Sequence, residues 1–410
     1  MDLLIFRTKL FLRVLSVATL LLVSAPNLAL EPSGISLGSG WGIYPSVTYG
    51  VIEDSNPYRQ DSDGAESATV TKIRPEVEVK LDTGVGLYGV NYWMEQGAYS
   101  TNANDNYTDQ LLELEGRRSF GRRIEGVSSI AYKLGHDSRG AGVDEGVVAL
   151  EDVFYPDKFR ELSFKAALEY GADASTLGVQ GYTSVLDKNY LNNFDRGTAD
   201  REYVDQTVGA IGYLYVSPIT DALVEVRRSR IDYQSPNQVA QDKEGVINTY
   251  FIGGRWDVSG KTTGSIKIGQ TNRLFDSKQI ETNESFSWEV ALEWSPKAYS
   301  VVSLETSRGS KETSGPGVFV MSDDLNIIWS HSYSVFFSME LEVGYENDDY
   351  YSDSDIQRED EIFSFGGKVI YSPSRSMDLG FNMGREVRSS DLEGLDYNKF
   401  LMGIELSLAI

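Results

Sequence analysis

Cysteine is absent from the 410 residues, and histidine occurs only twice. The first absence removes disulfide staples, thiolate nucleophiles and cysteine metal sites together. The second leaves little imidazole for general acid–base work near neutral pH. Long apolar runs are missing too. Beyond the first 29 residues no stretch approaches the ~18 consecutive apolar residues that a membrane-crossing helix needs. Positive charge is scarce, with 37 Lys and Arg against 61 Asp and Glu and a formal net charge of -24, which argues against a nucleic-acid partner. An acidic disordered chain is excluded by what remains: 41% hydrophobic residues, including 24 tyrosines and 6 tryptophans.

The chain opens on an export signal. Arg7, Lys9 and Arg13 surround the start of the apolar run Val14–Val23, which is too short to span a bilayer and the right length for a secretory h-region. Cleavage is expected after Ala29, since Pro26 disfavours the site after Ala25. The expected organisation is a signal peptide at 1–29, a short periplasmic segment at 30–41, and one domain at 42–410.

That domain alternates. From Phe400 to Ile410 every even position is apolar, as are Phe337, Met339, Leu341, Val343 and Tyr345, with Ser338, Glu340, Glu342 and Gly344 between them. Phe286, Trp288, Val290, Leu292 and Trp294 repeat the pattern. A period of two is a strand with two unlike faces, and a helix would smear it. Tight turns are read at Asp82-Thr83-Gly84, Gly121-Arg122, Asp173-Ala174, Ser217-Pro218, Ser259-Gly260, Ser295-Pro296, Ser330-His331 and Ser372-Pro373. Between them lie polar loops, among them Asp54–Ala65, Ser138–Asp157 and Tyr351–Asp360. Short turns alternating with long loops, aromatics for interface girdles and a strand at the C-terminus predict an all-β, antiparallel transmembrane β-barrel of about 18 strands in the outer membrane of a Gram-negative cell. Its turns would be periplasmic and its longer loops extracellular. The first and third of the named loops offer no apolar core and are expected to be dispensable for assembly.

Opposite the apolar stripes lie charges that cannot face lipid. They give a predicted pore lining of Glu225, Arg227, Arg255, Asp257, Lys267, Arg273, Glu289, Glu293, Glu305, Glu340, Glu342 and Asp378, in which acids outnumber bases. Trp93 and Phe251 share this inner parity and could stack on sugar rings. Near Arg227-Arg228 the alternation slips, which suggests either a β-bulge aiming extra arginine inward or a surface-exposed strand end carrying Arg228 and Arg230. His136 is placed where a strand meets an outer loop and His331 in a periplasmic turn, too far apart for one site. Neighbouring His136, Asp137 and Ser138 point alternately to opposite faces and cannot form a relay. No catalytic residue, metal site or cofactor is assigned. Asp353 with Asp355, and Asp61 with Asp63, read as solvated loop charge, because the spacing of a calcium loop is not present.

Four segments carry a family resemblance: Val51–Arg59 (V-I-E-D-S-N-P-Y-R), Glu66–Lys80 with its central Arg74-Pro75-Glu76, Asn106–Asp109 (N-Y-T-D) and Arg117–Arg123 (R-R-S-F-G-R-R). In that order they resemble the β-barrel porins found with exopolysaccharide synthesis and export systems. Here Asp54-Ser55-Asn56 interrupts the usual Asp-Asn pair, Arg74-Pro75-Glu76 stands where Ser-Pro-Gly is more usual, and the chain ends on Ile410 where most barrels end on phenylalanine. The resemblance implies a passive conduit for exopolysaccharide. Outer-membrane lipid and lipopolysaccharide, the polysaccharide chain and periplasmic export components would be its partners. The acid-rich lining suggests a neutral or amine-bearing polymer and a preference for cations. A general diffusion porin for small solutes and a surface-binding, adhesive barrel are the alternatives.

Overall fold

The computed structural model describes residues 34–410 except 62–63, 143–144, 146–154, 172–174, 236, 259, 314–316 and 353–354. The expected signal peptide, the turn at Asp173-Ala174, and Asp63 and Asp353 fall outside the described residues. A four-residue strand, β1 (Ile35–Gly38), folds back on the first long one. The first half of the ring is β2 (Trp41–Asp54), β3 (Ala68–Asp82), β4 (Gly86–Tyr99), β5 (Tyr107–Phe120), β6 (Ile124–Asp137), β7 (Asp157–Tyr170), β8 (Leu177–Tyr190), β9 (Tyr203–Ser217) and β10 (Thr220–Tyr233). The second half is β11 (Gly245–Val258), β12 (Thr262–Phe275), β13 (Asn283–Lys297), β14 (Ser300–Glu312), β15 (Phe319–Ser334), β16 (Phe337–Ser352), β17 (Asp355–Ser374), β18 (Met377–Ser390) and β19 (Tyr397–Ala409). Each long strand pairs antiparallel with its sequence neighbours, and β19 closes on β2 from Leu401↔Asp54 to Ala409↔Ser46. β2 to β19 are therefore a closed 18-strand barrel. A 14-residue strand is about 45 Å long, which when tilted crosses the hydrocarbon layer and leaves its outer end above it.

Register sorts every strand into two faces. On β10, Val224 and Val226 are more than half exposed, whereas Glu225 between them is 2% exposed. On β19, Phe400, Met402, Ile404 and Leu408 are exposed. Among the described residues there is no single apolar core. Instead, small clusters line the inside of the wall: Ala167, Tyr182, Ile211, Tyr213 and Leu223 in one place, Ile231, Tyr233 and Ala240 in another. Aromatics gather outside near the periplasmic end, among them Trp41, Trp294, Tyr299, Tyr333 and Tyr371.

Several boundaries differ from the sequence reading. Ser295-Pro296, Ser330-His331 and Ser372-Pro373 lie inside β13, β15 and β17, whose turns come a few residues later at 298–299, 335–336 and 375–376. A proline near a turn is tolerated within a strand where the ladder slips, as it does between Trp294 and Lys297 and between Tyr371 and Ser374. His331 is consequently a strand residue among Tyr299, Trp329 and Tyr333. Tyr351–Asp360 is mostly strand: its ladder continues through Tyr350↔Arg358 and Asp348↔Asp360, and Arg358 pairs with Asp360 along the same strand. No bulge occurs at Arg227-Arg228, since the β10 ladders run unshifted from Asp221 onwards. Arg228 and Arg230 face outward at the strand end, and Ile231 and Tyr233 point inward because they pack under the segment carrying Ala240. The first loop packs too. Asn56, Pro57 and Tyr58 are buried, so it is not the free polar excursion its composition suggests.

Candidate functional site

All twelve charged lining candidates share the inner face; the fold brings four of them together in one network, and two more, Arg255 and Arg273, pair with other residues of the wall. Glu225 on β10 is the hub. It accepts hydrogen bonds from Arg227 Nη2 at 2.7 Å, Lys267 Nζ at 2.9 Å and the Tyr182 hydroxyl at 2.5 Å. Arg227 Nη1 also reaches Glu289 on β13 at 2.9 Å, and Lys267 bonds the same carboxylate. A contact from β10 to β13 skips two strands, which only the concave face of a ring permits. One step toward the periplasm, Arg255 donates to Asp221 at 2.6 Å and to Glu169 on β7 at 2.9 Å, and its guanidinium lies 3.6 Å from the centre of the Tyr213 ring.

Arg273 reaches Glu312 at 2.7 Å and Ser310 at 2.9 Å. These two residues belong to the outer end of β14, where the ladder to β13 has stopped at Trp288↔Arg308. The β14–β15 tip turns inward over the mouth: Phe319 packs on Phe275, Met321 meets Ser285, and Glu312 binds the Tyr233 hydroxyl. Phe319, Val320 and Met321 are buried there.

The other candidates lie elsewhere on the inner face. Glu340 and Glu342 share β16, with Glu340 accepting from Ser330 at 3.3 Å, while Glu293, Glu305 and Asp378 come from β13, β14 and β18. Asp257 is buried on β11. Phe251 is 4% exposed and lies beneath Arg227 and Lys267, and Arg74 covers Trp93 at 4.3 Å. In this arrangement cations, not open space, meet these two rings.

Sequence reasoning missed a belt of arginine–aromatic pairs around the extracellular mouth. Arg59 and Arg388 flank the Tyr397 ring, Arg139 lies on Tyr58, Arg201 on Tyr190 and Arg358 on Tyr350, with guanidinium-to-ring distances of 4.3 to 5.9 Å. Such contacts are electrostatically favourable. Arg139 also forks onto Asp105 through Nε at 2.5 Å and Nη2 at 2.7 Å. That carboxylate holds the Arg139 guanidinium above its ordinary range, and burial raises the Tyr58 phenol, which donates to Asp105 at 2.7 Å. Gly140 adopts φ +80°, and a Cβ there would strike the Tyr58 carbonyl, so the close approach of the two loops requires glycine. These arginines sit in loops or at strand tips, where no period marks them.

The two histidines do not meet. His136 Nδ1 is 2.9 Å from Asp109 and its ring stacks on Tyr107 near the mouth, whereas His331 lies near the periplasmic end. Among the described residues no cluster of three His, Asp or Glu side chains is arranged to hold a metal ion.

A family profile described as "Putative beta-barrel porin 2" matches residues 28–409. Among solved structures, the FrpB iron transporter from Neisseria meningitidis is similar at 9% identity and TM-score 0.48, covering 91% of this chain and 82% of that one. The outer membrane protein opdK from Pseudomonas aeruginosa gives 10% identity, TM-score 0.43 and coverage of 90% and 99%. A bacterial polysaccharide outer membrane secretin gives 7% identity, TM-score 0.36 and coverage of 90% and 98%. At these values the likenesses are loose ones of architecture. No curated protein matches the chain.

Proposed function

The chain belongs to the family described as putative beta-barrel porin 2, and from that premise we propose that it is a passive outer-membrane conduit through which exopolysaccharide leaves the cell. The supporting observation is the inner wall. A ring of eighteen strands is wide enough to leave an aqueous lumen, and its inner face presents carboxylates and guanidiniums in hydrogen-bonded pairs. Groups of this kind can exchange hydrogen bonds with successive sugar hydroxyls. The resemblance of Val51–Arg59 and Asn106–Asp109 to porins of exopolysaccharide loci gives the polymer its class.

The mouth suits this reading. Loop residues Arg139 and Gly140 are seated on Tyr58 and Asp105, and the β14–β15 tip is held by Arg273. Loops fixed in this way hold the opening at one width, as a path for a continuous chain requires. The test is a deletion strain of a polymer-secreting host. Polymer should accumulate in the periplasm and secretion should recover with the wild-type gene. Normal secretion without the gene, together with ion conductance by the purified barrel in planar bilayers, would leave the diffusion porin as the better reading.

A further inference from the structure

On the lipid face of β10 to β13, an arginine stands over an apolar groove. Arg228 is the ninth residue of β10 counted from the periplasmic turn, and it faces outward above Val224 and Val226. Eight steps along a strand are about 26 Å, so a tilted strand has risen about 20 Å at this point. The long side chain then reaches the outer edge of the apolar band. Among the described residues the Arg228 side chain has one hydrogen-bond partner, the neutral Asn248 amide oxygen at 3.1 Å, and no carboxylate within ion-pair distance. The acids beside it are engaged elsewhere, because Arg230 forks onto Asp276 at 2.6 and 3.1 Å and reaches Asp232 at 2.7 Å. Arg228, Asn248, Asn272 and Glu284 form one outward row across four strands, which sets Glu284 about 14 Å from Arg228. One rung lower, Tyr250, Gln270 and Phe286 form the next row, and Ile252 and Ile268 lie below them. The two rings flank the narrower side chains of β12, and this leaves a trough lined by Tyr250, Ile252, Ile268 and Phe286. Gln270 closes its upper rim by donating to Glu284 at 3.2 Å.

We infer that this face holds a molecule of outer-leaflet lipopolysaccharide, with a phosphate of its lipid A on Arg228 and an acyl chain in the trough. A guanidinium carries five N–H donors, and the Asn248 bond uses one of them. The rest form a fork that matches phosphate oxygens. Hydrocarbon lies below this arginine and neutral amides beside it, so the anion that completes it comes from the membrane. Tyr250, Ile252, Ile268 and Phe286 are all exposed, and on a lipid-facing wall the group that covers them is an acyl chain. Headgroup phosphate above and chain below are the two halves of one lipid. The amides of Asn248 and Asn272 favour a sugar-borne phosphate over a phospholipid, because they can bond the hydroxyls of the lipid A sugars. The site rests on the barrel's place in the outer membrane and is indifferent to what the lumen carries.

Native mass spectrometry of the refolded full-length mature barrel in detergent tests this, with a purified lipopolysaccharide lacking O-antigen as the titrant. Arg228→Gln should weaken the tightest site about tenfold, the worth of a charged hydrogen-bonded contact. Arg228→Lys, which keeps the charge but not the fork, should recover part of that loss. Ile268→Trp, which fills the floor of the trough, should weaken the same site without touching the phosphate contact. Lys261→Gln, in the periplasmic turn between β11 and β12, should change nothing. Wild type should hold dephosphorylated lipid A about tenfold more weakly than the phosphorylated form. Three results would overturn the inference: unchanged affinity in a folded Arg228→Gln, equal binding of dephosphorylated lipid A, or phosphatidylglycerol competing as well as lipopolysaccharide, which would make the face a contact for anionic lipid at large. If Arg228→Gln does not assemble, Ile268→Trp and the dephosphorylated lipid carry the comparison. Normal polymer secretion by a strain lacking the gene would count against the conduit and leave this site standing.

Discussion

Removing one cation from the β10–β13 network should cost more than removing any cation on the opposite wall. Arg227 and Lys267 balance Glu225 and Glu289, and the Lys267 and Glu225 side chains are 4% and 1% exposed. Lys267→Met would leave two carboxylates on one guanidinium, an uncompensated buried charge of the kind that costs about 3–5 kcal/mol. At such low exposure little solvent screening is available to soften it. Glu289→Gln in the same molecule removes the surplus charge, so the double variant should be less destabilised than the sum of the singles by about 1–3 kcal/mol. The control is Lys80→Met on β3: Lys80 lies 2.8 Å from Glu78 but its side chain is 53% exposed, and its loss should cost about 1 kcal/mol or less. The assay is urea unfolding of the barrel refolded into lipid vesicles, followed by tryptophan fluorescence. Additive single and double variants, or a Lys267→Met no worse than Lys80→Met, would show that water reaches the network and that the charges act independently.

Four further outcomes are expected. Ile404→Arg on the lipid face of β19 should cost about 2–4 kcal/mol and reduce the heat-modifiable folded band, whereas Ser407→Arg, inward and opposite Asp378, should assemble normally. Neutralising Glu340 and Glu342 to glutamine should weaken a preference for cations, read as a smaller reversal potential across a salt gradient in planar bilayers, and the difference should fade at high salt. Gly140→Val, in the left-handed region and against the Tyr58 carbonyl, should unseat the loop from Asp105 and make it cleavable by protease in an intact barrel. Arg273→Ala should free the β14–β15 tip from Glu312 and Ser310, seen as higher single-channel conductance, while unchanged conductance would mean the tip does not narrow the path.

Where the chain obeys a strict period, the sequence was legible. The faces of β10, β13, β16 and β19 follow directly from Val224–Val226, Phe286–Trp294, Phe337–Tyr345 and Phe400–Ile410, because one face must meet lipid. The period breaks where lipid no longer imposes it. Above the apolar band Arg358 and Asp360 continue a strand in charged residues, so Tyr351–Asp360 looks like a loop. Ile231 and Tyr233 imitate a slipped register because they serve an inner apolar cluster near the mouth. The mouth belt was invisible for a different reason. Tyr58, Arg139 and Asp105 are neighbours only after three separate connections have been folded over the opening, and nothing in their spacing records that.

The closing seam has a consequence for how the molecule comes to exist. β2 and β19 are the two ends of the domain, and their pairing from Asp54↔Leu401 to Ser46↔Ala409 has nearly the greatest sequence separation this chain allows. Contacts of that kind form slowly, because loop-closure entropy is lost before they return anything. Until the last strand docks, the nascent sheet carries two unsatisfied edges at once, each a template for the wrong partner. Copies held together in that interval would pair edge to edge. Shortening the lifetime of the open sheet, rather than raising the stability of the closed one, is therefore the step through which a mutation in either seam strand would change yield.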